Sequence, residues 1–541
     1  MDCIILVAMH ATFVLYIGLI LAILLLVMLA QRLKISYPIV LVLGGLGISF
    51  IPGLPVISID PELIFLIFLP PLLYEAAWYT SWKEFWKWRR VIGSFAFGIV
   101  LLTSCVIAVV SNHLIPGFTL ALGFLLGGII SPPDAVSATT ILKDVDAPKR
   151  LSSIVEGESL MNDASSLIVY RFAMAAVVTG SFSFHEAALS FVVVIIMGIA
   201  TGIAVGFVFY ALHRWLPTTP SMDTVLTFVA PYVMYMTAEA FHFSGVLAVV
   251  SGGLFMTNRR NSILSHLSRI QGVNVWATVG FVLNGIVFML IGLELPVVVH
   301  QLGESSLKEA IWYGLIISVV VIITRILSTM GASVFTVFIS RFIKTADSRP
   351  GWRMPLVFGW AGMRGVVSLA AALSIPIMAG DKPFPQRNMI LFITFVVILV
   401  TLVLQGLTLP WLIRKMKLEE PDYLMSELEQ EILVRKKLAY VAMDTLDNKF
   451  KTDVEENGLL QQLRSSLENE HTFLQSYAES HGTDVNRRHA VKRYRTVYFE
   501  LLKEQRRMLK QINKKAEFNE EIIRKHFSQL DLAEEKIRLQ F

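Results

Sequence analysis

Charge is what this 541-residue chain has little of: Asp, Glu, Lys and Arg make up 16% of it, against about 25% in soluble globular domains. Cysteine is scarcer still. Cys3 and Cys105 are too few for a disulfide framework, and Cys105 lies inside an apolar run. No His/Cys cluster suits zinc or copper, and neither a phosphate loop nor a nucleotide fingerprint occurs, so no cofactor is expected. The N-terminal apolar run lacks a basic n-region and a clear small-residue cleavage site, and it reads as a retained first span. The net charge of +5 gives no reason to expect a nucleic-acid partner, because basic loops on one side of a membrane produce the same total. What is present is apolar sequence: 55% hydrophobic residues and a mean hydropathy of +0.62. It is gathered into runs, many of ~18–25 residues, enough to cross a hydrocarbon core ~30 Å thick. A soluble enzyme and a disordered chain are both excluded. The chain is an all-α polytopic membrane protein.

Hydropathy gives about thirteen spans, near 8–30, 37–57, 62–79, 91–113, 118–142, 150–179, 187–212, 223–241, 244–257, 274–297, 309–343, 355–378 and 388–413. The ninth is short, and the eleventh is long enough to be tilted or a merged pair. Basic residues cluster in alternate loops, at Arg32/Lys34, Lys83/Lys87/Arg89/Arg90, Lys143/Lys149/Arg150, Arg214, Arg259/Arg260, Arg341/Lys344/Arg349/Arg353 and Arg414/Lys415/Lys417. The loops between, near 53–61, 112–117, 180–186 and 241–244, carry no Lys or Arg, with Lys382/Arg387 the exception. This alternation places the N-terminus outside and the C-terminus in the cytoplasm. Residues 1–417 form the transmembrane domain. Residues 418–541 are a charged tail of about three helices, with breaks at Gly458 and Gly482.

An ionised side chain at mid-membrane costs ~2.5–3.5 kcal/mol on insertion scales, so the charges inside the spans mark the places to look. They are Glu75, Asp134, Glu156, Glu158, Asp163, Arg171, Glu239, Glu294, Arg325 and Arg364. Arg171 and Glu294 lie near span ends and can snorkel. Glu239 stands beside His242, where a structural hydrogen bond is the expected role. Two spans also break helix chemistry. In GGIISPPDAVSATT (127–140), Pro132 and Pro133 remove two backbone donors. In GWAGMRGVVSLAAALSIP (359–376), Gly359, Gly362 and Gly365 weaken the helix around Arg364. These are the fifth and twelfth spans, seven apart, and paired interrupted helices point to a transporter's binding site.

The sixth span contains EGESLMNDASSLIVYRF (156–172). At helical spacing Ser159, Asp163 and Ser166 share a face, while Glu158 and Asn162 form a neighbouring row. Glu158 and Asp163 therefore point in different directions. One carboxylate with an amide and hydroxyls is a hard-oxygen set suited to a small cation.

With FLPPLLYEA (68–76), SPPDAV (131–136), EGESLMNDAS (156–165), AEAFHFSGVLAVVSGGL (238–254), TRILS (324–328) and GWAGMRG (359–365) in this order, the chain resembles the NhaP-type sodium/proton exchangers of cation:proton antiporter family one. The resemblance covers about residues 13–415. It implies an inverted repeat with two crossing broken helices, and a core domain that moves against a dimerisation domain, hence a homodimer in a plasma (inner) membrane. By position, Asp163 would be the shared Na⁺ and proton site and Asn162 its amide neighbour. Ser159 would be a further ligand and Glu75 the third-span acid facing them. Glu158 and Arg325 would form a structural ion pair, with Asp134 and Arg364 at the two breaks. Pro133 stands where the family often has a threonine, so Thr139 and Thr140 are the hydroxyls left nearby.

A secondary antiporter follows as the expected function: Na⁺ (or Li⁺ or K⁺) is exchanged for H⁺, because one carboxylate holds a cation or a proton but not both. Asn162 removes one titrating charge, and the resemblance implies electroneutral exchange. The alternatives are a cation channel, which also uses acids, and a membrane-embedded enzyme or receptor. An intramembrane aspartyl pair could be drawn from Asp134 and Asp163, but it leaves Arg325, Arg364 and two symmetric breaks unexplained.

Overall fold

A computed structural model describes residues 2–51, 64–145, 147–180, 184–302, 307–342, 351–379, 382–418, 427–479, 485–513 and 520–540. The chain divides into two compact units, Met1–Glu420 and Pro421–Phe541.

The first unit is helical at every expected span. It begins with α1 (Asp2–Leu33) and α2 (Tyr37–Ser49). A π-helical turn (Ile64–Phe68) leads into α3 (Leu69–Tyr79). Pro70 and Pro71 open α3, where a missing N–H costs nothing. Next, α4 (Trp82–Gly93) runs through a π segment (Ser94–Ile99) into α5 (Val100–Leu114). The basic stretch 83–90, expected as loop, is therefore helical. The reason is its periodicity: Phe85, Trp88 and Ile92 bury one face, and the guanidiniums of Arg89 and Arg150 lie over Trp86 and Trp88.

After the interrupted pair α6 (Leu120–Ile130) and α7 (Ala135–Asp144) comes the long α8 (Lys149–Thr179). There follow α9 (Phe184–Trp215), α10 (Pro220–Ala240), α11 (Gly245–Ile263), α12 (His266–Gln301) and α13 (Leu307–Ile339). The eleventh span, α13, is one continuous helix and not a merged pair. The second interrupted pair is α14 (Arg353–Trp360) and α15 (Val366–Leu373). The unit closes with α16 (Arg387–Val400), a π segment (Thr401–Gln405) and α17 (Gly406–Met416). Among the described residues, seven helical segments are long and apolar enough to cross a membrane by length and composition alone. The other expected spans are helical but short, interrupted or laced with polar residues.

Two departures stand out. A two-residue antiparallel hairpin, β1 (Met378–Ala379) with β2 (Lys382–Pro383), joins α15 to α16. Arg387, a basic exception on its side of the membrane, is tied down: its Nε donates to Ile375 O at 2.8 Å, just past the carbonyl end of α15, where a cation is favoured. The loop expected near 53–61, Lys344, Arg349 and Gly482 lie outside the described residues.

Among its described residues the second unit has five helical segments, where about three were expected: α18 (Glu427–Lys449), α19 (Lys451–Glu456), α20 (Gly458–Glu479), α21 (Val485–Ile512) and α22 (Glu520–Gln540). α18 packs on α20 and α21 on α22. Small apolar seams (Ile432, Ala439 and Leu474; Leu502, Ile523 and Ile537) are buried in it. Ion pairs flank them: Arg435 with Glu470 and Arg464 with Asp447, and Arg506 with Asp531 and Glu534. The hydrogen bond from Arg464 holds the Asp447 carboxyl below its ordinary range.

Candidate functional site

The site is built where the two interrupted helices cross. α6 and α14 each stop short, and the chain resumes as α7 and α15. Pro132 and Pro133 stop α6. The second break has no proline, and packing explains its glycines. A Cβ on Gly365 would lie 2.7 Å from Asp134 Cβ, and one on Gly362 would collide with the Arg325 side chain. At the crossing, the Asp134 amide donates to Met363 O at 2.7 Å.

Ends of helices inside a membrane leave unpaired backbone groups that need partners. Asp134 caps the positive end of α7: its carboxylate accepts from the Val136 and Ser137 amides (3.3 and 3.2 Å) and from Ser137 Oγ (2.9 Å). Arg364, fully buried, serves the negative ends of both breaks. Its Nε donates to Ile130 O (2.6 Å) and its terminal nitrogen to Gly362 O (2.8 Å). Thr401 Oγ1, in the π segment after α16, accepts from the Arg364 amide (3.1 Å). The charges are thus matched to helix dipoles, acid at the amino end and base at the carbonyl ends.

α8 runs past this crossing and presents three kinds of side chain to it. Asn162 Nδ2 donates to Pro133 O at 3.0 Å, and its Oδ1 is buried without a hydrogen-bond partner. Ser159 Oγ accepts from the Ala135 amide at 3.2 Å. Glu158 points elsewhere, into a two-point ion pair with Arg325 of α13, both bonds 2.8 Å and both side chains almost completely buried. Ser166, on the same helical face as Asp163, donates back to Asp163 O at 2.9 Å and is turned away from the cavity.

Asp163 is buried, and its carboxylate has no hydrogen-bond or ion-pair partner among the described residues. It lines a cavity of about 520 Å³ together with Ser159, Asp134, Glu75 and Thr139/Thr140. Sequence reasoning listed these residues but left out others on the same wall. Lys143, counted in the sequence only as a loop charge, is on the wall, and so is Glu156, which the sequence marked as a charge inside a span without giving it a place in the site. Gly280 of α12 lies against the Glu75 carboxylate, and any Cβ there would occupy its place. No local pattern in the sequence marks that glycine, since α12 and α3 meet only in the fold. Glu294, taken as able to snorkel, is instead buried. Glu239 pairs with Arg171 at 2.6 Å, not with His242.

Two crossed, charge-compensated interrupted helices over one unpartnered carboxylate define a polytopic carrier of small ions. The chain belongs to the sodium/hydrogen exchanger transmembrane family, whose model matches residues 18–415. It is 36% identical over 394 residues to the sodium, potassium, lithium and rubidium/H⁺ antiporter of Bacillus pumilus, covering 70% of this chain and 58% of that protein's length. It is 32% identical over 414 residues to the low-affinity Na⁺/H⁺ antiporter NhaS1 of Synechocystis, covering 75% of each. The fold is similar to that of the sodium proton antiporter MjNhaP1 from Methanocaldococcus jannaschii. There the TM-score is 0.62 at 19% identity, covering 76% of this chain and all of that one.

Proposed function

We propose that this protein exchanges a monovalent cation, Na⁺ first and Li⁺ or K⁺ as alternatives, for protons at Asp163. The observation that carries this is the isolation of that carboxylate. At the crossing itself, Asp134 and Arg364 are matched to helix ends and Glu158 to Arg325, whereas the Asp163 carboxylate, beside the break, faces the open cavity without a partner among the described residues. A cation and a proton compete for it, so exposing it alternately to the two sides couples their flows. Ser159 Oγ, on the cavity wall, and the unpartnered Asn162 Oδ1 are the neutral oxygens that would complete a hard-oxygen shell. Glu75 and Asp134 add negative potential on the same cavity, with Asp134 acting mainly as the α7 cap.

The basic loops at Arg32/Lys34, Lys143/Lys149/Arg150 and Arg259/Arg260 support a cytoplasmic tail and an external N-terminus in the plasma (inner) membrane. With that orientation the Asp163 cavity opens to the cytoplasm. The resemblance supports a homodimer.

The test is a sodium titration of exchange in proteoliposomes at several pH values. Competition at one carboxylate makes the apparent KM for sodium rise by up to about tenfold for each unit of acidification, with the maximal rate unchanged. A KM independent of pH would rule out a shared site.

A further inference from the structure

A second cavity, of about 450 Å³, lies farther along α8, past Asp163. Leu167, Tyr170 and Arg171 of α8, Tyr235 and Glu239 of α10, Ser244 and Ser374 are on its wall. Asp163, Leu167 and Arg171 recur every four residues on one face of α8, so Arg171 is about 12 Å beyond the exchanging carboxylate. We propose that the Arg171–Glu239 ion pair is the outer gate of the transport path. It ties α8 to α10, and it opens when Asp163 gains access to the second cavity. This rests on the antiport function proposed above.

The geometry supplies each part of a gate. α8 and α10 make little direct backbone contact, so the pair bridges a gap instead of decorating a packed seam. One Arg171 nitrogen reaches both Glu239 oxygens, at 2.8 and 2.6 Å. Glu239 is anchored on its own side, accepting from the Gly245 amide at the start of α11 (3.1 Å), where the helix dipole favours an anion. Tyr170, next to Arg171, is tied instead to Ser374 Oγ just past α15 (2.9 Å). The outer half of α8 therefore holds to α15 on one flank, and reaches α10 through Arg171. Leu167 of α8, one helical turn beyond Asp163, lines the second cavity, and Asp163 lines the first. The pair is partly exposed, with side chains 45% and 30% accessible. A contact of that kind is weak enough to be broken and remade in every cycle. Once it opens, Glu239 is the acid an entering cation meets ahead of Asp163.

The experiment uses the full chain in a Cys3→Ser/Cys105→Ser background carrying Leu167→Cys, in membrane vesicles of both orientations. A membrane-impermeant methanethiosulfonate reagent is added, and exchange is measured in the same preparations. Arg171→Gln or Glu239→Gln should speed labelling from the face opposite the tail by roughly two- to fivefold, the population shift that an ion pair of this exposure supplies. Arg171→Lys, which keeps a cation opposite Glu239 and its α11 amide, should hold the rate near that of the intact pair, a rescue that simple loss of packing would not show. Labelling that ignores both neutralising changes while exchange persists would overturn the gate and leave the antiport function standing. Labelling only from the tail face would overturn the placement of the second cavity, and the gate with it. A complete lack of exchange in the unmutated protein would sink both.

Discussion

Glu158 and Asp163 stand five residues apart on α8, both buried, and their surroundings differ in kind. Glu158 is met by the guanidinium of Arg325 in a flat two-point contact. Asp163 meets a cavity and no side-chain partner. Burying an ion pair roughly breaks even against its desolvation, whereas burying a lone charge does not. Glu158 can therefore be kept as part of the frame. An unpaired Asp163 is tolerable in a membrane only if something arrives to neutralise it, a cation or a proton. The same helix carries a carboxylate that holds the fold and a carboxylate that leaves a vacancy for chemistry, and a rotation of 140° between them (five residues at 100°) is the whole difference.

The sharpest way to break this comparison is Asp163→Asn. Exchange in proteoliposomes should fall to background, while thermal unfolding stays at or above the wild-type midpoint, because no ion pair is lost. Residual exchange near the normal rate would show that Asp163 is not the shared site.

Next in size comes the paired carboxylate. Glu158→Gln or Arg325→Gln leaves one buried charge uncompensated and should destabilise the protein by about 3–5 kcal/mol. The double replacement should cost clearly less than the sum of the two. Strictly additive losses in thermal or denaturant unfolding would mean that the two groups do not act as a pair.

Asn162 offers an intermediate case between its two acidic neighbours. Asn162→Ala strips the Pro133 carbonyl of its donor, and an unsatisfied buried acceptor costs about 1–3 kcal/mol. The expected result is a modest drop in unfolding midpoint together with weaker sodium affinity. A drop in stability with an unchanged KM would assign Asn162 to the break alone.

The smallest expected effect is a null one. With Asn162 in place of a second acid, the proposed exchange is one cation against one proton, and the equilibrium sodium gradient should then ignore membrane potential. One uncompensated charge per cycle would shift that gradient roughly fiftyfold per 100 mV, since it is worth ~2.3 kcal/mol. A potassium–valinomycin potential imposed on proteoliposomes distinguishes the two. A shift with voltage would direct attention to Glu75 as a second titrating group, and Glu75→Gln would then restore indifference to voltage.

The linear pattern of residues carries a good deal of this. Runs of apolar residues too long for a soluble core set the number of helices, since each must satisfy its backbone within the bilayer. Pro132–Pro133 and the glycines around Arg364 set where two of them stop, because the prolines cannot donate and the glycines do not hold a helix. Periodicity on α8 separates the row of Glu158 from that of Asp163. Helical period also runs through residues 83–90, and basic character alone obscured it. Contacts between distant segments were settled elsewhere. That Asp134 spends its oxygens on the α7 amides, that Arg364 serves the ends of two different helices, and that Gly280 makes room for Glu75 all depend on helices far apart in the chain meeting at one crossing. So does the bridge from Arg171 to Glu239 in place of His242. Local chemistry dictates which residues can be helical and which cannot, but a buried charge takes its role from the group that faces it, and only the packed tertiary structure chooses that group.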